Sequence, residues 1–207
     1  MVELNKEYRI GVKKFGFINW IGFKSLWLKE CSRFMKVWQQ TLLSPLVSSL
    51  LFLSVLTLAL GSDRGEVLGY PFISFLAPGL IAMSILTQSF SHSVSSLMIA
   101  KMQGNIVDML YAPLSALEVS MAIILAALTR SFLIAIISIF VFSLIVEVPI
   151  SNILLIFIFG LLSSFILGSL GFISGLWAEK FDHTATITNF VITPLSFLSG
   201  VFYSIDK

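Results

Sequence analysis

Five long runs of hydrophobic residues, separated by short polar segments, dominate the pattern along this sequence. They lie at residues 41–60, 72–98, 119–146, 151–178 and 185–203. A helix needs roughly 20 apolar residues to cross about 30 Å of hydrocarbon, so each run is long enough to span a membrane. In lipid the backbone must satisfy its own hydrogen bonds, which favours helices over open strands. The pattern therefore predicts an all-α fold, a polytopic transmembrane helix bundle with five spans.

The distribution of Lys and Arg predicts which connecting segments of the bundle lie on the cytoplasmic side of the membrane. Residues 1–40 carry eight Lys or Arg residues. If that segment is cytoplasmic, ten of the Lys and Arg residues outside the runs fall on the cytoplasmic side, and only Arg64 and Lys207 fall on the other. Positive charge near the ends of spans is retained in the cytoplasm. We therefore predict a cytoplasmic N-terminal segment that is not a cleaved signal peptide, and a cytoplasmic loop at 99–118.

Composition excludes a water-soluble domain, because the chain is 57% hydrophobic and 12% charged, against about 25% charged in ordinary soluble domains. The one cysteine, Cys31, has no partner for an internal disulfide. The sequence contains neither a G-x-x-x-x-G-K-S/T phosphate loop nor an H-E-x-x-H zinc motif, so we expect no enzyme activity and no bound cofactor or metal. No Asp or Glu lies well inside any run, which counts against a proton- or cation-coupled transporter.

Residues 1–40 are the predicted cytoplasmic segment that precedes the first span. Within it, residues 18–40 are predicted to form an amphipathic helix in the membrane interface. Its aromatic side faces inward and its cationic side faces the opposite way. Two interpretations stay open, namely a simple lipid-surface anchor or an anchor whose cationic face also contacts a cytoplasmic partner. The aromatic side holds Trp20, Phe23, Trp27, Cys31, Phe34, Met35 and Trp38, and the cationic side holds Lys29, Arg33 and Lys36.

A polar stripe runs along the second hydrophobic run. Its members share one helix face, at Ser84, Gln88, Ser91 with His92, and Ser95. Such a stripe turns away from lipid, either toward a substrate path or toward a neighbouring helix that it binds through small polar groups. A lone intramembrane histidine most often just finds a hydrogen-bond partner, so His92 by itself is weak support for a site.

Arg130 lies within the third run, where a buried cation costs roughly 2.5–3.5 kcal/mol on insertion scales. One interpretation has it facing the bundle interior and pairing with Gln88 or with a negatively charged part of a substrate. In the other it reaches the cytoplasmic interface or fixes helix packing through carbonyl groups.

Small residues recur along one face of the fourth run, at Gly160, Ser164, Gly168, Gly171 and Gly175. Small side chains let another backbone approach closely, so this face is predicted to be a helix-packing seam.

Between the second and third runs, residues 104–110 are predicted to form a short surface helix that ends before Pro113. Ile106, Met109 and Leu110 would project together as an apolar patch. That patch contacts either lipid headgroups or a soluble partner.

Six segments stand in a fixed order along the chain: FLAPGLI at 75–81, KMQGNI at 101–106, LYAP at 110–113, LTR at 128–130, FVITPL at 190–195 and SGVFY at 199–203. Taken in this order, they resemble the membrane subunits of the ABC-2 type transporter family, which export polysaccharides, lipids and drugs. The resemblance implies a permease in a bacterial-type inner membrane, paired with a second copy and with two separate ATP-binding subunits that hold ATP and Mg. It identifies the helix at 18–40 as the family's interfacial helix, and it implies no nucleic-acid partner.

The resemblance also implies a coupling helix that docks on the ATP-binding subunit, around Lys101, Gln103, Asn105, Ile106, Asp108, Met109 and Leu110. The family continues after the position of Tyr203 with an outer segment and a sixth span, so we expect this sequence to be five-sixths of a permease. The leading hypothesis is an ATP-driven exporter of a glycan, a lipid or an amphipathic drug. The alternatives are an ATP-independent channel or secondary transporter, and a non-transporting membrane scaffold.

Overall fold

A computed structural model describes residues 18–60, 67, 69–148 and 152–198, and these residues are almost entirely helical. Besides the helices they contain an isolated bridge between Val67 and Tyr70. The α-helices, in chain order, are α1 (Trp20–Lys36), α2 (Ser44–Leu60), α3 (Phe72–Met102), α4 (Ile106–Tyr111), α5 (Ala116–Ser143), α6 (Ile153–Trp177), α7 (Phe181–Ile187) and α8 (Thr193–Leu198). Two π-helical segments join neighbouring helices, Gln39–Leu43 before α2 and Thr188–Ile192 between α7 and α8.

Four helical stretches are long and apolar enough to cross a membrane, namely Gln39–Ala59, Phe72–Met102, Ala116–Ser143 and Ile153–Trp177. They correspond to the first four predicted spans, and the all-α fold is confirmed. The fifth predicted span, 185–203, falls partly on α7 and α8, and its residues 199–203 lie outside the described residues. A fifth span therefore stays a prediction.

Helix α3 lies at the centre of the bundle, with its most extensive contacts to α6 and α5. It has 31 residues and α5 has 28, which at 1.5 Å per residue corresponds to about 46 and 42 Å. Both exceed the roughly 30 Å of hydrocarbon, so these helices must tilt or extend beyond it. At one end, α3 and α5 are joined through the short helix α4. We call this the α4 end of the bundle.

The predicted packing seam on α6 is confirmed for the residues from Ser164 onward. Ser164, Gly168, Gly171 and Gly175 are the buried residues of this helix, and they face α3, whereas Gly160 is half-buried and lies closest to Phe132 of α5. A Cβ atom added to Gly171 would overlap the backbone carbonyl of Phe90, and one added to Gly175 would lie 3.1 Å from the Cβ of Leu97. Glycine is thus required here because the two backbones nearly touch. The opposite side of α6 is exposed and apolar, as expected of a surface that faces lipid.

Hydroxyl groups reinforce this seam. The Ser89 hydroxyl of α3 donates a hydrogen bond to the carbonyl oxygen of Ser164 at 2.6 Å. The hydroxyls of Ser131 on α5 and Ser164 lie 3.1 Å apart. Sequence analysis placed Ser164 in the seam but missed Ser89 and Ser131, because their partners are on other helices.

Helix α1 begins at a joint that ties it to α5. The side chain of Asn19 accepts a hydrogen bond from the backbone N–H of Gly22, which caps α1, and it donates one to the carbonyl oxygen of Pro113 at 2.9 Å. The backbone N–H of Asn19 donates to the Glu118 carboxylate. That carboxylate also closes the capping box at Ser115, so one acidic side chain fixes the start of both helices.

The connection from α3 to α4 depends on a single glycine. Gly104 has a φ of 74°, in the left-handed region where residues with a Cβ are strained. Helix α3 runs to Met102 and α5 begins at Ala116, so the predicted loop 99–118 is shorter at both ends. The turn at Gly104 redirects the chain into α4.

We predict that Gly171→Ala destabilises the protein whereas Gly160→Ala does not. A Cβ atom at 160 would lie 3.6 Å from the Phe132 ring, an ordinary contact, whereas at 171 it would force α6 away from α3. Overpacking of this kind costs about 1–3 kcal/mol. The two variants should therefore differ in melting temperature, measured in detergent by intrinsic fluorescence. Equal melting temperatures would show that the seam does not limit stability.

Candidate functional site

A cavity of about 860 Å³ lies beside α3, facing α2 and the elbow that joins α1 to α2. We define the elbow as Val37–Leu43. Residues of α1, α2, α3, α5 and α8 contribute to the wall. They are Arg33, Phe34, Val37, Gln40, Thr41, Ser44, Pro45, Ser48, Ser49, Phe52, Leu80, Met83, Ser84, Thr87, Gln88, Ser91, His92, Ser95, Ile99, Gln103, Arg130 and Phe197.

The polar stripe of the second run lies on this cavity. Ser84, Gln88, Ser91 and Ser95 line it, and His92 forms part of its wall although its side chain is fully buried. The stripe therefore faces an open volume rather than a packed helix. Its use as a substrate path stays a prediction.

Arg130 bridges three elements. Its Nη2 donates a hydrogen bond of 2.6 Å to the side-chain oxygen of Gln88 on α3 and one of 3.4 Å to the backbone carbonyl of Thr41 in the elbow. The Gln88 contact is the pairing that the first interpretation suggested. The bond to the Thr41 carbonyl is of the kind that the second interpretation described, although the residue itself was not named. Thr41 belongs to the π-helical segment Gln39–Leu43.

The sequence left the depth of Arg130 open between the bundle interior and the cytoplasmic interface. Arg130 lies about 21 Å along α5 from Ala116, at 1.5 Å per residue. Yet it contacts Thr41, near the first residue of the span Gln39–Ala59. Relative to α2, Arg130 is therefore near the α4 end of the membrane-crossing region, where burying a cation is less costly.

A buried carboxylate, Glu30, faces α3 from α1, and sequence analysis did not single it out. Its Oε2 lies 2.8 Å from Nη2 of Arg33, accepts a hydrogen bond of 2.8 Å from the Ser96 hydroxyl, and is 3.8 Å from Nε2 of His92. The His92 ring packs edge-on against Phe34, with 5.7 Å between ring centroids. His92 thus contacts Glu30 and Phe34, but it does not find the hydrogen-bond partner that is usual for such a histidine, because neither ring nitrogen has one within the described residues. The sequence did hold a signal for the burial of Glu30, since Glu30 lies one helical turn before Phe34 and therefore on the aromatic side of the helix.

Helix α1 has three faces instead of the two that the pattern predicted. Leu26, Glu30 and Phe34 are buried against the bundle, and Trp27 donates a hydrogen bond from Nε1 to the Thr129 hydroxyl at 3.3 Å. A second face is apolar and exposed, and it includes Trp20 and Met35. Trp38, which follows α1 in the elbow, is exposed as well. Lys29 and Lys36 are exposed on the third. Arg33 does not join them as predicted, because Glu30 holds its guanidinium beside the cavity.

Helix α4 is exposed at the α4 end of the bundle. The side chains of Val107, Leu110 and Tyr111 are exposed, Leu110 at 77% and Tyr111 at 86%. The predicted apolar patch is therefore composed differently. Ile106 is half-buried, and Met109 turns with Asp108 toward a cleft of about 380 Å³ between α4 and α1.

The polar residues around α4 divide into two groups. Gln103 and Asn105 are exposed and bind each other, with Nδ2 of Asn105 donating to the Gln103 side-chain oxygen at 3.1 Å. Lys101 is occupied inside the chain, since its Nζ donates to the carbonyl oxygens of Leu176 and Ala178 at 2.6 and 2.8 Å. Those carbonyls end α6, where a cation is favourable. Lys101 therefore joins the ends of α3 and α6.

The described residues contain no group of three or more His, Cys, Asp or Glu side chains that could hold a metal ion.

We predict that Glu30→Gln weakens the attachment of α1. The change keeps the side-chain volume but removes the charge that Arg33 binds, and a hydrogen bond to a charged group is worth about 1.5–3 kcal/mol. Backbone amides of α1 should exchange faster with deuterium, measured by mass spectrometry. The exposed Glu179→Gln serves as the control and should leave α1 exchange unchanged. Equal exchange in the two variants would contradict a structural role for Glu30.

A family model and individual relatives both identify the family of this chain. Residues 21–207 match the family model described as ABC-2 type transporter. The chain is 31% identical over 186 residues to "Inner membrane transport permease YadH" of Escherichia coli strain K12, covering 90% of this chain and 73% of that protein. It is also 27% identical over 203 residues to "Nodulation protein J" of Rhizobium leguminosarum bv. trifolii, covering 93% and 72%. No solved structure matches the chain. With its helical bundle and apolar spans, this chain therefore belongs to the ABC-2 type transporter family and is one of its membrane permeases.

Proposed function

We propose that this permease is the membrane half of an ATP-driven exporter, and that a separate ATP-binding subunit hydrolyses the ATP. The observation that carries the proposal is the exposed helix α4, which joins α3 and α5. Its exposed apolar side chains are unusual for a six-residue helix at a polar boundary, and they suit a protein partner. Family membership supports the same assignment.

The connections of α4 are those that a mechanical coupling element needs. Helix α4 continues into the central helix α3 through Gly104. Lys101, just before it, binds the end of α6. On its other side, Pro113 and Glu118 bind Asn19 at the start of α1. A displacement of α4 by a partner would thus reach three parts of the bundle at once, as rigid-body switching requires.

Two parts of the coupling region are available to an ATP-binding subunit. One is the exposed surface of Gln103, Asn105, Val107, Leu110 and Tyr111. The other is the cleft between α1 and α4, which Asp108, Met109 and Lys29 line. We assign the partner contact to both. Lys101 supports this contact indirectly, because it fixes the end of α3 to the end of α6. The half-buried Ile106 supports it by packing α4 against the bundle.

The remaining parts of the proposal follow from the family and from the exposed surfaces. We place the protein in a bacterial inner membrane, with the α4 end cytoplasmic and a second permease copy beside it. The apolar faces of α6 and of α1, with Trp20 and Trp38, contact lipid. ATP and Mg belong to the partner subunit. The cargo, a glycan, lipid or amphipathic drug, moves outward along the cavity beside Ser84, Gln88, His92 and Arg130.

We predict that Leu110→Asp abolishes binding of the ATP-binding subunit. The change places a charge in the centre of the exposed apolar surface of α4, where an interface would have to desolvate it. Co-purification of the subunit through a tag on the permease, and ATP-dependent export in vesicles, should both be lost.

The control is Leu144→Asp, at a similarly exposed position just beyond α5, at the opposite end of that helix from α4. It should keep the ATP-binding subunit bound. An intact complex in Leu110→Asp, or gradient-driven transport without any ATP-binding subunit, would overturn the proposal.

We predict that α4 is reached from the cytoplasmic side only. The chain has one native cysteine, Cys31, which is partly buried, and burial raises the pKa of its thiol. In a Cys31→Ala background, Leu110→Cys should react with a membrane-impermeant maleimide only after the cells are opened. Labelling of intact cells would show the opposite orientation.

A further inference from the structure

The charges around the cavity are unbalanced. Arg33 and Arg130 are the only charged residues among its described lining, apart from the ionisable His92. Glu30 binds Arg33 but does not line the cavity. Arg130 has only neutral partners, the Gln88 amide and the Thr41 carbonyl. The cavity wall is therefore cationic.

Arg130 also has unused capacity. Only 7% of Arg130 is exposed, and its Nε atom has no hydrogen-bond partner within the described residues. A buried cation without a counter-charge is costly, and a guanidinium can bind an oxyanion through two of its N–H groups. The site is therefore incomplete as it stands, and an anion would complete it.

Hydroxyl groups elsewhere in the lining of the cavity suit an oxyanion with more than two oxygens. The hydroxyls of Ser44, Ser48 and Ser91 line the cavity and form no hydrogen bond within the described part of the chain. A carboxylate would use two acceptor atoms, whereas a phosphate offers three or four to the guanidinium and the hydroxyls together. The lining thus favours a phosphate group.

Charge is confined to one end of the cavity, although apolar and hydroxyl side chains occur along its whole length. Arg33 and Gln103 line the α4 end together with Phe34, Val37 and Ile99. The far end is uncharged, and it is lined by Phe52, Leu80, Met83 and Phe197 with Ser49 and Ser84. On α3, Leu80 and Gln88 are about 12 Å apart at 1.5 Å per residue. A ligand that fills both ends needs a charged head and an apolar tail.

We propose that this cavity binds an amphipathic phosphate ester, with the phosphate at Arg130 and Arg33 and the apolar chain toward Phe52 and Leu80. If the chain is the permease of an exporter, as proposed above, this narrows its cargo to acidic amphipaths. Binding itself requires only the permease.

The test uses native mass spectrometry of the whole chain in neutral maltoside micelles. Phosphatidic acid and diacylglycerol with the same acyl chains differ only in the phosphate. We expect the bound fraction to be about tenfold higher with phosphatidic acid, as expected for a charge-assisted bidentate contact. Glycerol 3-phosphate, which has the phosphate but no acyl chain, should not compete at equal concentration.

Variants assign the binding to this cavity. Arg130→Gln and Arg33→Gln should each reduce phosphatidic acid binding by about fivefold or more. Ser91→Phe should reduce it without any change of charge, because the ring fills the cavity. Lys24→Gln removes an exposed cation of α1 that is not in the cavity lining, and it should have no effect. If Arg130→Gln does not fold, Arg33→Gln and Ser91→Phe still test the proposal.

Three results would overturn the inference. Equal retention of diacylglycerol would exclude recognition of the phosphate. Competition by glycerol 3-phosphate would show a site for free phosphate esters instead of amphipaths. An equal loss in Lys24→Gln would show diffuse attraction to surface charge. Each is separable from failure of the proposed function, because Leu110→Asp should bind phosphatidic acid normally while it loses the ATP-binding subunit.

Discussion

The close approach of α6 to α3 is the contact on which the rest of this bundle depends. In lipid no hydrophobic force drives one apolar helix against another, so association relies on van der Waals packing and hydrogen bonds between helices. At Gly171 the α6 backbone meets the Phe90 carbonyl, and Ser89 and Ser164 add a hydrogen bond within the same seam. This contact fixes the direction of α3, whose other faces then receive α5, α2 and α1.

At the α4 end of the bundle, charged side chains join the helices to one another. Each joins separate elements: Lys101 links α3 to α6, Arg130 links α5 to α3 and the elbow, and Glu30 links α1 to α3. Glu118 ties the start of α5 to Asn19. Small residues therefore hold the bundle within the membrane, and ionic groups hold it together at the end where α4 lies.

These two kinds of contact explain how a transport function fits this fold. The seam of α3 and α6 is rigid because close-packed backbones have little freedom. The elbow contains the π-helical segment Gln39–Leu43. It is tied to α1 by the Thr41 hydroxyl, which donates to the carbonyl oxygen of Phe34 at 2.7 Å, and to α5 by the 3.4 Å contact from Arg130. The cavity lies between the rigid helix and this elbow. A motion that began at α4 would reshape the cavity wall while leaving the seam intact.

The sequence alone determined the features that depend on periodicity along one helix. It predicted four spans now present as helices, the small-residue seam on α6, the shared face of Ser84 and Gln88, and the ABC-2 type family. Only the tertiary structure decided what each polar side chain faces. In the tertiary structure Glu30 lies inside the bundle and Met109 faces α1. Lys101 binds the carbonyl groups at the end of α6, and Arg130 contacts the elbow. The physical reason is that a hydrophobic pattern fixes which side of a helix avoids water. The partner of a buried polar group, however, comes from a helix distant in sequence, whose rotation and depth the pattern does not contain.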